Sequence, residues 1–232
     1  MKTVRSRNGP FSERPHFKPA EIDRICLDEL RREGFYPLSP QAIRIDRFVE
    51  KRFGVVPEYD DLPDGVLGYT RFSKSGVDGI IISAALDEAG GKVSERRVRT
   101  TLAHEAGHGL LHAYLFAFDE KPLHLFDQDS HSENQILCRD VQGEERGRTY
   151  DGRWWEFQAN RAMGGLLCPQ PLVEEALKPF LRATGGLGSL VIDEPRREEA
   201  ARQLADIFDV NPVVARFRIN GLFPADSGQM HL

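Results

Sequence analysis

Apolar residues recur at helical spacing in several stretches and alternate in others. Ile45, Phe48, Val49 and Phe53 fall on one face of a helix, with Ser39 as its N-cap, Pro40 at its first position and Gly54 just past its end. An earlier helix is predicted over 19–32, closing near Gly34. Val55 and Val56 begin a short strand, and the Asp- and Gly-rich run 60–65 is turn chemistry. Residues 66–73 and 80–83 read as two strands joined by a reversal over 74–79, hence a hairpin. From Ser94, read as an N-cap, Val98, Leu102, Leu110 and Leu111 return to helical intervals. Residues 119–151 are polar and irregular, a long loop for a compact domain. Helices are predicted over 154–167, stopped by Pro169, and over 171–183. A Gly-rich hinge at 184–189 precedes two terminal helices, 196–208 and 211–220, broken around Asp209 and Pro212.

Composition narrows the class. Of 232 residues, 40% are hydrophobic and 29% charged, enough for a real core. The net charge of −5 argues against general affinity for nucleic acid. Cys26, Cys138 and Cys168 are too few and too widely spaced for a disulfide framework, so a reducing, cytoplasmic setting is expected. The basic N-terminus has no apolar run behind it, and no stretch approaches a membrane span. The expected organisation is a flexible arm over 1–18, a catalytic domain over 19–183, a helix-turn-helix-like module over 190–222 and a flexible tail over 223–232.

The candidate chemistry lies in His104-Glu105-Ala106-Gly107-His108. On a helix, positions i and i+4 share a face, so both imidazoles can reach one ion, while Glu105 lies about 100° further round. That is too far for an equal third ligand but well placed for a general base acting on a water. Gly107 lets another element come close to the helix. Forty-eight positions after His108 comes Glu156, on a predicted helix with Asn160 one turn on. Glu156 completes a His₂Glu donor set, and Asn160 can accept the remaining N–H of a ligand imidazole.

The run from Arg99 through this motif to His112, with Trp155-Glu156-Phe157-Gln158-Ala159-Asn160 and Leu166-Leu167-Cys168-Pro169, resembles the ImmA/IrrE family of metallopeptidases. Leu62-Pro63-Asp64-Gly65, Gly68-Tyr69 and 78–83 resemble that family's hairpin before the metal helix. The likeness spans about residues 41–222. It implies an α+β, zincin-like fold: a small antiparallel sheet over an active-site helix, with a helical C-terminal portion. It also implies zinc, or manganese in its place, held by His104, His108 and Glu156, with Glu105 catalytic. The implied reaction is peptide-bond hydrolysis, and the implied substrate is a helix-turn-helix repressor governing stress or mobile-element genes. Two departures stand out. Ala162-Met163, followed by Gly164-Gly165, replaces the family's usual Phe-Ala, which bears on helix packing. The insert before Glu156 is also longer than usual.

Other residues are weighed beside these. His112, Tyr69, Tyr114, His124 and Tyr150 are candidates to bind substrate or stabilise an oxyanion, His112 against the alternative of a core histidine. His124, His131, Cys138 and Cys168 match no compact metal knuckle, and a structural cysteine is the better reading of Cys138. The strand 80–83 could pair with an extended substrate. Arg216 and Arg218 on the last helix raise DNA reading, but Glu198, Glu199, Asp206 and Asp209 weaken it and favour packing or partner binding. The competing function is therefore a DNA- or partner-binding regulator, of toxin–antitoxin or phage type, with a structural or idle metal site.

Overall fold

Strand alternation and a long helix determine where the site sits. The computed structural model describes residues 2–5, 13–88, 90–117, 135–139, 154–184 and 189–223. In chain order its elements are β1 (Lys2–Arg5), β2 (Glu13–His16), α1 (Pro19–Arg32), α2 (Ile45–Phe53), β3 (Glu58–Asp60), β4 (Val66–Ser73), β5 (Gly76–Ser83), α3 (Ala84–Glu88) and α4 (Gly91–Ala117). There follow β6 (Gln135–Arg139), α5 (Trp154–Leu167), α6 (Gln170–Ala176), a 3-10 turn at Lys178–Phe180, β7 (Leu181–Thr184), β8 (Ser189–Ile192), α7 (Arg197–Phe208) and α8 (Pro212–Leu222). The protein is α+β. Among the described residues no helix is long and apolar enough to cross a membrane.

The hairpin β4–β5 forms, and it is the middle of a four-stranded sheet ordered β3-β5-β4-β6. On β4, Val66, Gly68, Thr70 and Phe72 are buried while Leu67, Tyr69, Arg71 and Ser73 are half-buried, the period-2 pattern of a strand with one face on a core. Across the hairpin Arg71 pairs with Asp78 at 3.0 Å. The long helix α4 packs against both central strands. It comes close because Gly68 has no side chain: a Cβ there would stand 2.8 Å from both Thr101 Cγ2 and the Ile81 carbonyl.

Several expectations are corrected. α2 begins at Ile45, not near Ser39; residues 41–44 are irregular, and the carbonyl of buried Ile43 accepts a bond from Arg99 Nη2 at 3.0 Å, anchoring that entry to α4. Its end is as expected, since Gly54 takes φ +72°, a left-handed C-cap that glycine adopts without strain. The strand expected at Val55-Val56 lies at 58–60, parallel to β5. β5 is therefore flanked on both sides, so 81–83 are not an open edge for a substrate. Ser94 lies inside α4, and its hydroxyl donates to the Leu86 carbonyl. Residues 135–139, read as loop, pair with β4. Residues 181–183, read as helix, and Thr184, read as hinge, form a strand paired with 189–192; Pro179, which lacks an N–H, closes the helical run in a 3-10 turn. Within the N-terminal arm, 2–5 pair with 13–16.

One cluster of buried side chains takes in all the long helices, from Ile22 on α1 to Phe223 beyond α8. The turn between α7 and α8 is fixed to α4. Asp209, at φ +51°, accepts Arg96 Nε at 2.9 Å, and Arg96 also reaches the Ala205 carbonyl and Asp206, each at 3.1 Å. A second tie runs through the interior. Arg218, 1% exposed, donates Nη1 to Asp23 Oδ1 at 2.6 Å and Nε to the Cys168 carbonyl at 2.8 Å, while Arg161 Nη2 stands 3.6 Å from Asp23 Oδ2. The Gly164-Gly165 departure belongs to this packing. A Cβ on Gly165 would meet Cys26 Cβ and Sγ at 3.1 Å, so its absence lets α1 close on α5. Cys26 and Cys168 are buried free thiols. Burial pushes both up, Cys168 to about 12, which makes them inert structural residues.

Candidate metal centre

Helix periodicity and a close helix crossing assemble the site. His104, His108 and His112 follow one another at i, i+4 and i+8 along α4, and α5 lies across them. The centre of the crossing is Gly107: a Cβ there would lie 2.9 Å from Ala162 Cβ and 3.0 Å from the Ala159 carbonyl. The close approach expected at Gly107 is thus made by α5, which also carries Glu156. Gly107→Ala is expected to force α5 outward. In a free helix alanine would stabilise; here overpacking should cost about 1–3 kcal/mol. Metal affinity, read by competition with a chromophoric chelator, should fall roughly tenfold or more. Wild-type affinity in a more stable variant would contradict this.

Among the described residues one group of side chains could hold a metal ion: His104, His108 and Glu156, whose donor atoms all lie within 4.8 Å of one another. His104 Nε2 is 3.0 Å from His108 Nε2 and 3.1 Å from Glu156 Oε2; His108 Nε2 is 3.6 Å from Glu156 Oε1. Tetrahedral coordination at zinc–ligand distances of about 2.0–2.1 Å puts neighbouring donors about 3.3 Å apart. The imidazole pair and the carboxylate oxygen nearest each ring, Oε2 towards His104 and Oε1 towards His108, stand near that spacing, so the donor set is compatible with such an ion.

The remaining ring nitrogens are tied from outside. His104 Nδ1 is 3.1 Å from Asn160 Oδ1, the contact expected of Asn160. His108 Nδ1 is 3.0 Å from His112 Nδ1, and His112 Nε2 is 3.0 Å from Gln158 Oε1. Trp154 stands edge-on to the His112 ring at 5.5 Å. Helix α5 thus meets α4 with two flanks, Glu156 and Asn160 towards His104, and Trp154 and Gln158 towards His112. Burial lowers the basicity of both His108 and His112, bringing His112 down to about 3, so both imidazoles stay neutral. Burial pushes the Glu156 carboxyl up, but the two histidines beside it outweigh this and hold it well below the usual carboxylate range. Neutral imidazoles and an ionised carboxylate are the states a divalent ion requires.

Glu105 is fully buried on the face towards the sheet. Thr70 Oγ1 lies 2.6 Å from Glu105 Oε2 and 3.1 Å from the Glu105 carbonyl, so the hydroxyl on β4 fixes the carboxylate. Thr70 was not singled out from the sequence. The signal was there, since 70 is an inward position of an alternating strand beside a helix, where a hydroxyl needs a partner.

The oxyanion candidates are dispersed. His112 is fully buried with both ring nitrogens engaged, so it presents neither to a substrate. Tyr69 is on the opposite face of β4 from Thr70, turned from α4, which removes it from this side of the sheet. Tyr114 is two positions beyond His112, about 120° round the helix from His108 and so off the metal-facing stripe. His124, His131 and Tyr150, and the side chain of Cys138, lie outside the described residues. No protein-family model matches the sequence, and no curated protein matches it.

Proposed function

We propose that the protein is a zinc-dependent endopeptidase of zincin type, with His104, His108 and Glu156 as ligands and Glu105 as general base. The observation that carries this reading is the convergence of three donor atoms from α4 and α5, with a buried carboxylate on the next helical position braced by Thr70. A bound zinc ion supplies Lewis acidity, lowering the pKa of a water and polarising the scissile carbonyl. The chain's own residues do the rest. With its carboxylate held by Thr70, Glu105 takes the proton of the attacking water and then delivers it to the leaving amine. Asn160 holds the His104 ring in position. The resemblance noted above supports a helix-turn-helix repressor as substrate.

The DNA-reading alternative is less well supported. Arg218 is buried against Asp23, and Arg216 is held by Glu198 through two bonds of 2.8 Å. The last helix therefore offers neither arginine freely to a phosphate.

The test joins metal analysis with cleavage. The purified protein should contain stoichiometric zinc, and Glu156→Ala should lose it. The repressor encoded nearest its gene should be cut by the wild type, spared with a chelator, and cut again when zinc is restored. Unchanged metal content in Glu156→Ala, or cleavage indifferent to chelation, would overturn the reading.

A further inference from the structure

His112, for which the sequence left both a substrate-binding and a core role open, is fully buried, and its two nitrogens lie 3.0 Å from His108 and 3.0 Å from Gln158. The chemistry of these contacts has a direction. If His108 gives its Nε2 lone pair to the ion, its single ring proton must sit on Nδ1. The nitrogen facing that proton, His112 Nδ1, must then be the acceptor, because two N–H groups cannot face one another at that distance. His112 must therefore carry its own proton on Nε2. The atom that meets it is Gln158 Oε1, a carbonyl oxygen that can only accept. Every link agrees: His108 donates to His112, and His112 donates to Gln158.

We infer that His112 is a positioning residue, which accepts the Nδ1 proton of His108 and so selects the tautomer and ring orientation in which His108 Nε2 serves the ion, with Gln158 selecting the tautomer of His112 in turn. The inference rests on the metallopeptidase reading only in that an ion is bound; it does not depend on which bond, if any, the protein cleaves.

Three features support it. The arrangement matches the His104 side, where Asn160 Oδ1 accepts directly, so each ligand imidazole has an acceptor behind it. Asn160, behind His104, and Gln158, behind His112, both lie on α5, the helix that supplies Glu156, so the same crossing that delivers the third ligand also orients the first two. Trp154 stands edge-on to the His112 ring, completing the packing that holds it in this orientation. An accepting partner on the far nitrogen also makes a ligand imidazole a better donor to the metal.

The experiment measures binding of zinc, and of cobalt with its visible spectrum, to the metal-stripped full-length chain. His112→Phe keeps a ring but removes the acceptor; it should weaken zinc binding about 10- to 100-fold and shift the cobalt bands. His112→Asn, whose side-chain oxygen stands where Nδ1 stood, should recover most of the affinity. A residue that merely fills space would give the opposite order, with phenylalanine the better substitute. Gln158→Leu should lose affinity in the same direction but less. If His112→Phe fails to fold, Gln158→Leu and His112→Asn decide the question. Unchanged affinity and cobalt spectrum in Gln158→Leu, with asparagine no better than alanine at 112, would overturn the inference. Failure of the wild type itself to bind either ion would instead sink the metallopeptidase reading, and this inference with it.

Discussion

Glu105→Gln is expected to keep its zinc and lose about 10²- to 10⁴-fold in turnover. The amide is nearly isosteric, and its oxygen can still accept the Thr70 hydroxyl, which lies 2.6 Å from Oε2 in the native side chain. The ligand set His104, His108 and Glu156 is untouched. What the variant cannot do is take a proton. Metal content and thermal unfolding should therefore match the wild type, while single-turnover cleavage of a substrate that the wild type cuts collapses. Turnover within a fewfold of wild type would show that Glu105 is not the base, even if the metal site is real.

The second large effect concerns the fold. Asp23→Asn removes the carboxylate that faces two buried guanidinium groups, at 2.6 Å from Arg218 and 3.6 Å from Arg161. Burial already pushes the Arg161 guanidinium down against the pull of Asp23. Breaking a buried pair by deleting one partner costs about 3–5 kcal/mol, because a charge is left without compensation. For a chain of this size that lowers the unfolding midpoint on the order of 10 °C. Differential scanning calorimetry on the full chain would read it. A triple variant that also replaces both arginines with leucine or methionine should recover part of the loss, since no stranded charge remains. A single variant melting with the wild type would show that these three groups do not act as a unit.

The candidate metal ligands were legible because the helix repeat is short. His104 and His108 sit one turn apart in a stretch whose apolar positions already identify a helix, and Glu156 and Asn160 repeat the same spacing on another. The hairpin was legible because alternation and a Gly-containing reversal coincide at 66–83. The errors have equally physical origins. Ser39-Pro40 carries the signature of a helix start, yet Ile43 is worth more as a buried residue whose carbonyl binds Arg99. Strand β6 was hidden because its apolar run, Ile136-Leu137-Cys138, is only three residues long within a polar segment. The β7–β8 hairpin was hidden because leucine, arginine, alanine and threonine suit a helix as well as a strand. For His112 spacing left a substrate-binding and a core role open, and only coordinates show that it is buried with Gln158 behind it. The tie from Asp23 to Arg161 and Arg218 joins residues up to 195 positions apart, and no local pattern announces it.

The crossing at Gly107 has one more consequence. Helix α5 is buried along almost its whole length and bears the proposed third ligand, so an ion gripped by both helices would act as a rivet through the core. Its affinity is then shared with folding: at a free concentration a hundred times its dissociation constant, such an ion adds about 2.7 kcal/mol to the native state. Supply of the cation would set how long the chain survives heat and proteolysis, as well as whether it can act.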